Sequence, residues 1–132
     1  MGKIVVVGSA NVGVEVPPFQ PPKLGAVVDG PPFDFGVGGS ALNTATVAAR
    51  LGASVSFLGM VGDDLGGNLI YEHFQREGVD VSRIQRLEGR PSPSELVFFG
   101  QNGERGIVRH AGTNIDFRLP ENAFRVPCRM AH

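Results

Sequence analysis

A chain of 132 residues, 42% hydrophobic and 19% charged, has the size and composition of one soluble domain with a buried core. Its net charge of -1 gives no pull toward nucleic acid or an anionic membrane, so neither partner is expected. The lone cysteine, Cys128, excludes a disulfide framework and a cysteine metal site within the chain, no metal ligands are assigned, and a reducing, cytoplasmic location is expected.

Lys3 to Val7 is a β-branched apolar run ending at Gly8, the pattern of a strand buried on both faces in a parallel sheet. The apolar stretch is too short for a signal peptide, Val6 stands where myristoylation wants Ser or Thr, and no segment reaches the ~20 apolar residues of a membrane helix. Prolines 17, 18, 21, 22, 31 and 32 then punctuate two short segments, Leu24–Asp29 and Phe33–Gly36. Proline belongs at sheet edges and in loops, so these segments predict edge strands of a small flap projecting from the main sheet. Ser40 to Leu51 predicts a helix capped by Ser40 and stopped by Gly52. Its small residues, Ala41, Thr44, Ala45, Ala48 and Ala49, suit close approach to a sheet. Val55–Leu58 predicts a strand, and Leu65–Glu77 a helix with Leu69, Ile70, His73 and Phe74 on one face and Gly78 as its stop. Strand, helix, strand, helix implies a right-handed α/β arrangement. Glu95–Phe99 and Gly106–His110 flank Asn102-Gly103, a hairpin signal that adds two strands to the flap. Beyond Asn114 the pattern fades, Leu119-Pro120 and Val126-Pro127 break the chain, and 119–132 reads as an irregular tail.

Three glycine-containing segments are candidates for chemistry. Gly8 and Gly13 have the spacing of a Walker A loop, but Val14 and Glu15 follow where lysine and Ser/Thr are required. Gly36-Val-Gly38-Gly39-Ser-Ala41 fits a loose dinucleotide pattern, yet it follows a proline-rich flap and not the first strand. What the segment does offer is backbone that a ligand can approach without a Cβ in the way, next to the N–H groups and positive dipole end of a helix. Asn43, in the first turn, adds a donor and an acceptor. Such a mixture suits a polyhydroxylated ligand, although a tight turn with a helix cap would look the same. Asn11 lies just past the first strand, where α/β sheets place ligands, or is an ordinary turn asparagine. Gly62-Asp63-Asp64 precedes a helix, and capping is the simplest role for its acids.

Taken in order, these pieces resemble the ribokinase-like, or PfkB-type, carbohydrate kinases. Val5-Val-Val-Gly8-Ser-Ala-Asn11 is similar to the family's opening strand and sugar-contacting asparagine. Gly38-Gly39-Ser40-Ala41-Leu42-Asn43 resembles its Gly-Gly-x-x-x-Asn signature, and Gly59-Met-Val-Gly62-Asp63-Asp64-Leu-Gly66 its Gly-x-x-Gly-Asp-Asp segment. Gly78-Val-Asp80 is similar to the usual entry to a further strand, and Glu95–Phe99 through Ala111-Gly112-Thr-Asn114 to the lid hairpin and its exit.

The resemblance covers about residues 3–118 and implies a partial ribokinase-like α/β fold: a mostly parallel sheet with flanking helices and a β lid of strands within about 14–36 and 94–111. It implies that Asn11, Gly38, Gly39 and Asn43 contact hydroxyls of a sugar or nucleoside-like substrate. In the complete family enzyme ATP and Mg²⁺ supply the phosphoryl group, and lid strands often pair between two copies. Two departures put ribose in doubt: Gly13 stands where an acid is usual, with Glu15 two residues further along the same side, and Ser40 stands where ribokinases have lysine. A third concerns catalysis, because nothing after residue 80 matches the Gly-Ala-Gly-Asp motif that carries the catalytic aspartate and the anion hole. The chain therefore reads as a truncated kinase, inactive alone and binding no ATP productively, with a non-catalytic sugar-binding or interaction module as the alternative. Two helices are few for a doubly wound sheet, so Val55–Leu58 and Lys3–Val7 are expected to lack cover or a neighbouring strand.

Overall fold

The first strand, β1 (Lys3–Val7), is followed by β2 (Asn11–Val16), β3 (Asp34–Gly38), α1 (Ser40–Arg50), β4 (Val55–Gly62), α2 (Leu65–Arg76) and β5 (Asp80–Leu87). Then come β6 (Ser94–Phe99), β7 (Arg105–His110), a short 3-10 turn at Gly112–Ile115 and β8 (Cys128–Ala131). The structure is a computed structural model and describes residues 3–18, 22–123 and 128–131.

Two four-stranded sheets result. One is all parallel, in the order β5-β4-β1-β8, and the other runs β3-β2-β6-β7. In the second sheet β2 and β6 are parallel, while β3 and β7 flank them antiparallel. The chain is thus an α/β protein with a parallel sheet, two helices and a separate second sheet, where the sequence suggested a flap on the main one.

Both helices pack on one face of the parallel sheet. Ala41, Leu42 and Ala45 of α1 and Ile70 and Phe74 of α2 are buried with Val6, Val55, Phe57 and Val61. Phe57 and Phe74 stack with ring centroids 4.4 Å apart. The small residues of α1 permit this closeness, since a Cβ added at Gly8 would already stand 2.9 Å from that of Ala41. Only half of the α2 face read from the sequence enters this core. Ile70 and Phe74 are fully buried, whereas Leu69 is 43% exposed and borders a groove with His73.

The other sheet face is covered by the returning chain. Val5 and Leu58 pack with Ala123, Val7 and Phe117, and Arg83 Nη1 donates to the Ala123 carbonyl at 2.8 Å. Thr113, fully buried, donates to the Met60 carbonyl at 3.0 Å.

Several expectations need correction. β4 lies between β5 and β1, and β1 between β4 and β8, so neither lacks a neighbour. Helix number alone misled, because an irregular segment can cover a sheet face as well as a helix can. Residues 119–132 are not wholly irregular either, since β8 pairs parallel with β1. A four-residue strand after Pro127 has no pattern of its own and is specified by the edge it joins; residues 124–127 lie outside the described residues. Leu24–Asp29 forms no strand, and Leu24 and Val27 are fully exposed. A strand needs a partner, and among the described residues none runs beside that segment. Finally, Ser40 does not cap α1. Gly39 holds the N-cap position at φ +104°, and no side chain bonds to the helix start.

Candidate functional site

The turn Gly8-Ser9-Ala10 carries the chain from one sheet to the other, so β2 begins at the seam between them. Alternation along β2 sends Asn11 and Glu15 to one face and Val12 and Val14 to the other. Asn11 pairs in register with Gly38 at the end of β3, directly before α1. A cavity of about 750 Å³ opens here, with Asn11, Gly38, Gly39 and Asn43 all on its wall. The structure thus brings together the four residues singled out in the sequence, and Glu15 and Ser40 border the same cavity.

Asn11 is 5% exposed, and its Oδ1 has no hydrogen-bond partner among the described residues. A buried amide oxygen normally has one, and this orphan belongs to a residue on the cavity wall. Gly39 explains its position. A Cβ there would stand 2.6 Å from the Ser9 carbonyl oxygen and 2.7 Å from Asn11 Oδ1, and the positive φ already disfavours any other residue. The backbone of Gly39 and the side chain of Asn11 therefore share a space only glycine permits. Asn43, one turn into α1, is exposed, and its N–H donates to the Gly39 carbonyl at 2.9 Å. The dipole of an uncapped helix adds a positive field at the same place.

Asp63 and Asp64 play a different part. Asp64 is the N-cap of α2: its Oδ1 accepts from the Gly67 amide at 2.8 Å and from Ser92 Oγ at 2.6 Å, and its Oδ2 accepts from the Ser92 amide at 2.8 Å. Ser92 Oγ in turn accepts from the Gly62 amide at 2.9 Å. Burial pushes the Asp64 carboxyl up, but the bonds from Ser92 and the helix amides outweigh it and hold its pKa below the usual carboxylate range. The motif ties the end of β4 and the start of α2 to the entry of β6. It does not reach the cavity. Asp63 is exposed, with Arg86 3.6 Å away.

Reading the sequence for motifs missed the far wall. Glu95, Val97 and Phe99 of β6 and Arg105, Ile107 and Arg109 of β7 border the cavity, and Asn114 closes one side. None lies in a glycine loop. The signal that finds them is the hairpin at Asn102-Gly103, whose alternation places these six residues on one face.

A larger groove, about 1020 Å³, lies on the opposite face of the second sheet and is bordered by Val14, Phe35, Leu96, Val108, Leu69 and His73. It is mainly apolar. His73 Nε2 lies 2.9 Å from Thr46 Oγ1, and burial pulls the imidazole pKa below its ordinary value. Convergent amides and an unsatisfied polar atom make the smaller cavity, and not this groove, the candidate site.

Among the described residues no three His, Cys, Asp or Glu side chains are grouped as a metal would need. The cavity wall carries two carboxylates and two guanidiniums.

The profile of the pfkB family carbohydrate kinases matches residues 1–126. The chain belongs to the PfkB family of carbohydrate kinases. Among relatives of this PfkB-family chain, ribokinase of Bacillus subtilis is 34% identical over 116 residues, which cover 88% of this chain and 39% of the relative. Ribokinase of Haemophilus influenzae is 31% identical over 113 residues, 84% of this chain and 36% of the relative. The structure of Arabidopsis thaliana ribokinase complexed with ribose and ATP superposes with a TM-score of 0.77 at 29% identity, covering 86% of this chain and 37% of that one. The PfkB-family chain thus spans under two-fifths of the length of these relatives.

Proposed function

We propose that this chain supplies the sugar-binding part of a carbohydrate kinase that moves phosphate from ATP to a substrate hydroxyl. Asn11, Gly38, Gly39 and Asn43 hold the hydroxyls of a sugar or nucleoside-like substrate, and the second sheet, with its strands in 11–38 and 94–110, acts as the lid over it. The observation that carries this reading is the buried, unpartnered Oδ1 of Asn11 beside backbone that only glycine can provide. A hydroxyl donates to that oxygen and accepts from a neighbouring amide, which a purely structural turn would not require. ATP and Mg²⁺ belong to the complete enzyme and are not bound productively by these 132 residues, which contain no Gly-Ala-Gly-Asp sequence.

Pairing of two copies through the lid is part of the proposal, supported by the exposure of Phe35, Leu96 and Val108 on its outer face. No helix among the described residues is long and apolar enough to cross a membrane, and the proposed setting is the cytoplasm. A second reading, a sugar-binding module without catalysis, is favoured by one observation: β1 and β4 each have two neighbours and their second face is covered from within the chain.

Calorimetry with D-ribose, D-fructose and adenosine tests the site. Asn11→Ala and Asn43→Ala should each weaken binding by about 0.5–1.5 kcal/mol, roughly 2- to 10-fold. Binding in the parent with unchanged affinity in both variants refutes the assignment.

A further inference from the structure

The hairpin between β6 and β7 turns through Gln101, Asn102 and Gly103, all exposed. The Gly103 amide donates to the Gly100 carbonyl at 3.2 Å, and the Gly100 amide donates to the Glu104 carbonyl at 2.8 Å. Gly103 takes a φ of +83°, the left-handed conformation that closes a three-residue hairpin loop. A Cβ built on it would meet nothing within 4 Å, so no neighbour crowds this side of the turn. Among the described residues the side-chain amide of Asn102 has no hydrogen bond. Its backbone N–H donates to Glu104 Oε2 at 3.1 Å.

An asparagine carboxamide carbon can be attacked by the backbone nitrogen of the next residue, closing a small cyclic imide, which is one reason asparagine is a thermolabile residue. A side chain on that next residue obstructs the approach. The chain has six asparagines, and five of them precede Val12, Thr44, Leu69, Ile115 or Ala123. Asn102 alone precedes glycine. The missing Cβ that lets Gly103 close the turn also leaves its nitrogen open to Asn102. The bond that holds this nitrogen lies at the long end of the N–H···O range and at a loop tip, where local opening costs least.

We propose that Asn102-Gly103 is a self-modification site, at which the hairpin of the second sheet deamidates to an aspartyl or isoaspartyl residue. The Gly103 amide gives its proton to solvent base, and its nitrogen attacks Asn102 Cγ. A C–N bond forms, the Cγ–Nδ2 bond breaks, and Nδ2 leaves as ammonia with a proton from water. A second water opens the imide. Opening at Cγ gives aspartate, while opening at the backbone carbon leaves Gly103 joined through Cγ, with one more carbon in the main chain. The sum is amide plus water to acid plus ammonia, with no oxidant or reductant. Either product sets a new carboxylate in the turn that Glu104 Oε2 already occupies, and like charges repel. The isoaspartyl link also lengthens a loop closed by the Gly100–Glu104 bond, the last closure before the Phe99–Arg105 pair. The modification is therefore a one-way loosening of the hairpin that starts at its tip.

The test is incubation of the full chain at neutral and at alkaline pH, followed by isoelectric focusing, peptide mass spectrometry and labelling with an isoaspartyl methyltransferase. The expected result is a shift of one negative charge and an amide-to-acid mass gain confined to the peptide carrying Asn102, faster at alkaline pH. Amide-exchange protection should be lost at Gly100 while β1 keeps it. Asn102→Gln, whose longer side chain disfavours the ring, should remove the charge shift, with circular dichroism showing the fold kept. A free peptide of residues 99–105 serves as the reactive control. An Asn102 that stays intact while the peptide converts overturns the proposal. So does a mass gain spread over the other asparagines, or a charge shift that persists in Asn102→Gln.

Discussion

Replacing Asp64 by alanine tests whether the two acids before α2 serve structure and not chemistry. The carboxylate accepts three hydrogen bonds, from the Gly67 amide, the Ser92 hydroxyl and the Ser92 amide. Losing the cap of α2 costs about 1 kcal/mol. Ser92 is 4% exposed, so its amide is left buried without an acceptor, at about 1–3 kcal/mol. The hydroxyl can turn elsewhere and adds little. The expected loss is about 2–4 kcal/mol, which lowers Tm by roughly 8–16 °C in a chain of this size. Thermal and urea unfolding read it directly, and amide exchange should rise in β6 before β1, because Ser92 leads into β6. The pH dependence gives the sign. Asp64 has a depressed pKa in the folded chain, so its contribution is complete above the ordinary carboxylate value of about 3.9 and fades as pH falls through the folded value. The gap between parent and variant should therefore narrow as pH falls below about 3.9. A change under 0.5 kcal/mol at neutral pH, or a gap that persists in acid, would refute the reasoning.

Two further outcomes are expected. Coupled ADP-release assays across pentoses, hexoses and nucleosides should detect no phosphorylation by these 132 residues; a turnover that survives repurification and scales with protein would contradict this. The chain should self-associate through the outer face of the second sheet, where Phe35 is 78% and Val108 64% exposed, and Phe35→Asp should shift light scattering toward monomer; equal association in parent and variant would rule this surface out.

Local pattern determined the elements whose identity depends on their own residues. The β-branched run of β1, the alanines of α1 between glycines, and Asn102-Gly103 between two apolar segments each leave one economical conformation. The family motifs likewise named Asn11, Gly38, Gly39 and Asn43 before any geometry was available, because a glycine pair before a helix and a polar residue after a strand have local physical meanings. What the tertiary structure decided depended on partners far along the chain. Leu24–Asp29 has strand-like residues but, among the described residues, no strand beside it, while Cys128–Ala131 has little pattern and becomes a strand because the edge of β1 offers hydrogen bonds. Residues 117–123 close the second face of the parallel sheet only because Ala123 and Phe117 meet Val5 and Leu58. Glu95 and Arg109 look like ordinary solvent-facing charges in one dimension. The parallel pairing of β6 with β2 sets Glu95 over Gly13, and register between distant strands is fixed by long-range packing that no short stretch of sequence contains.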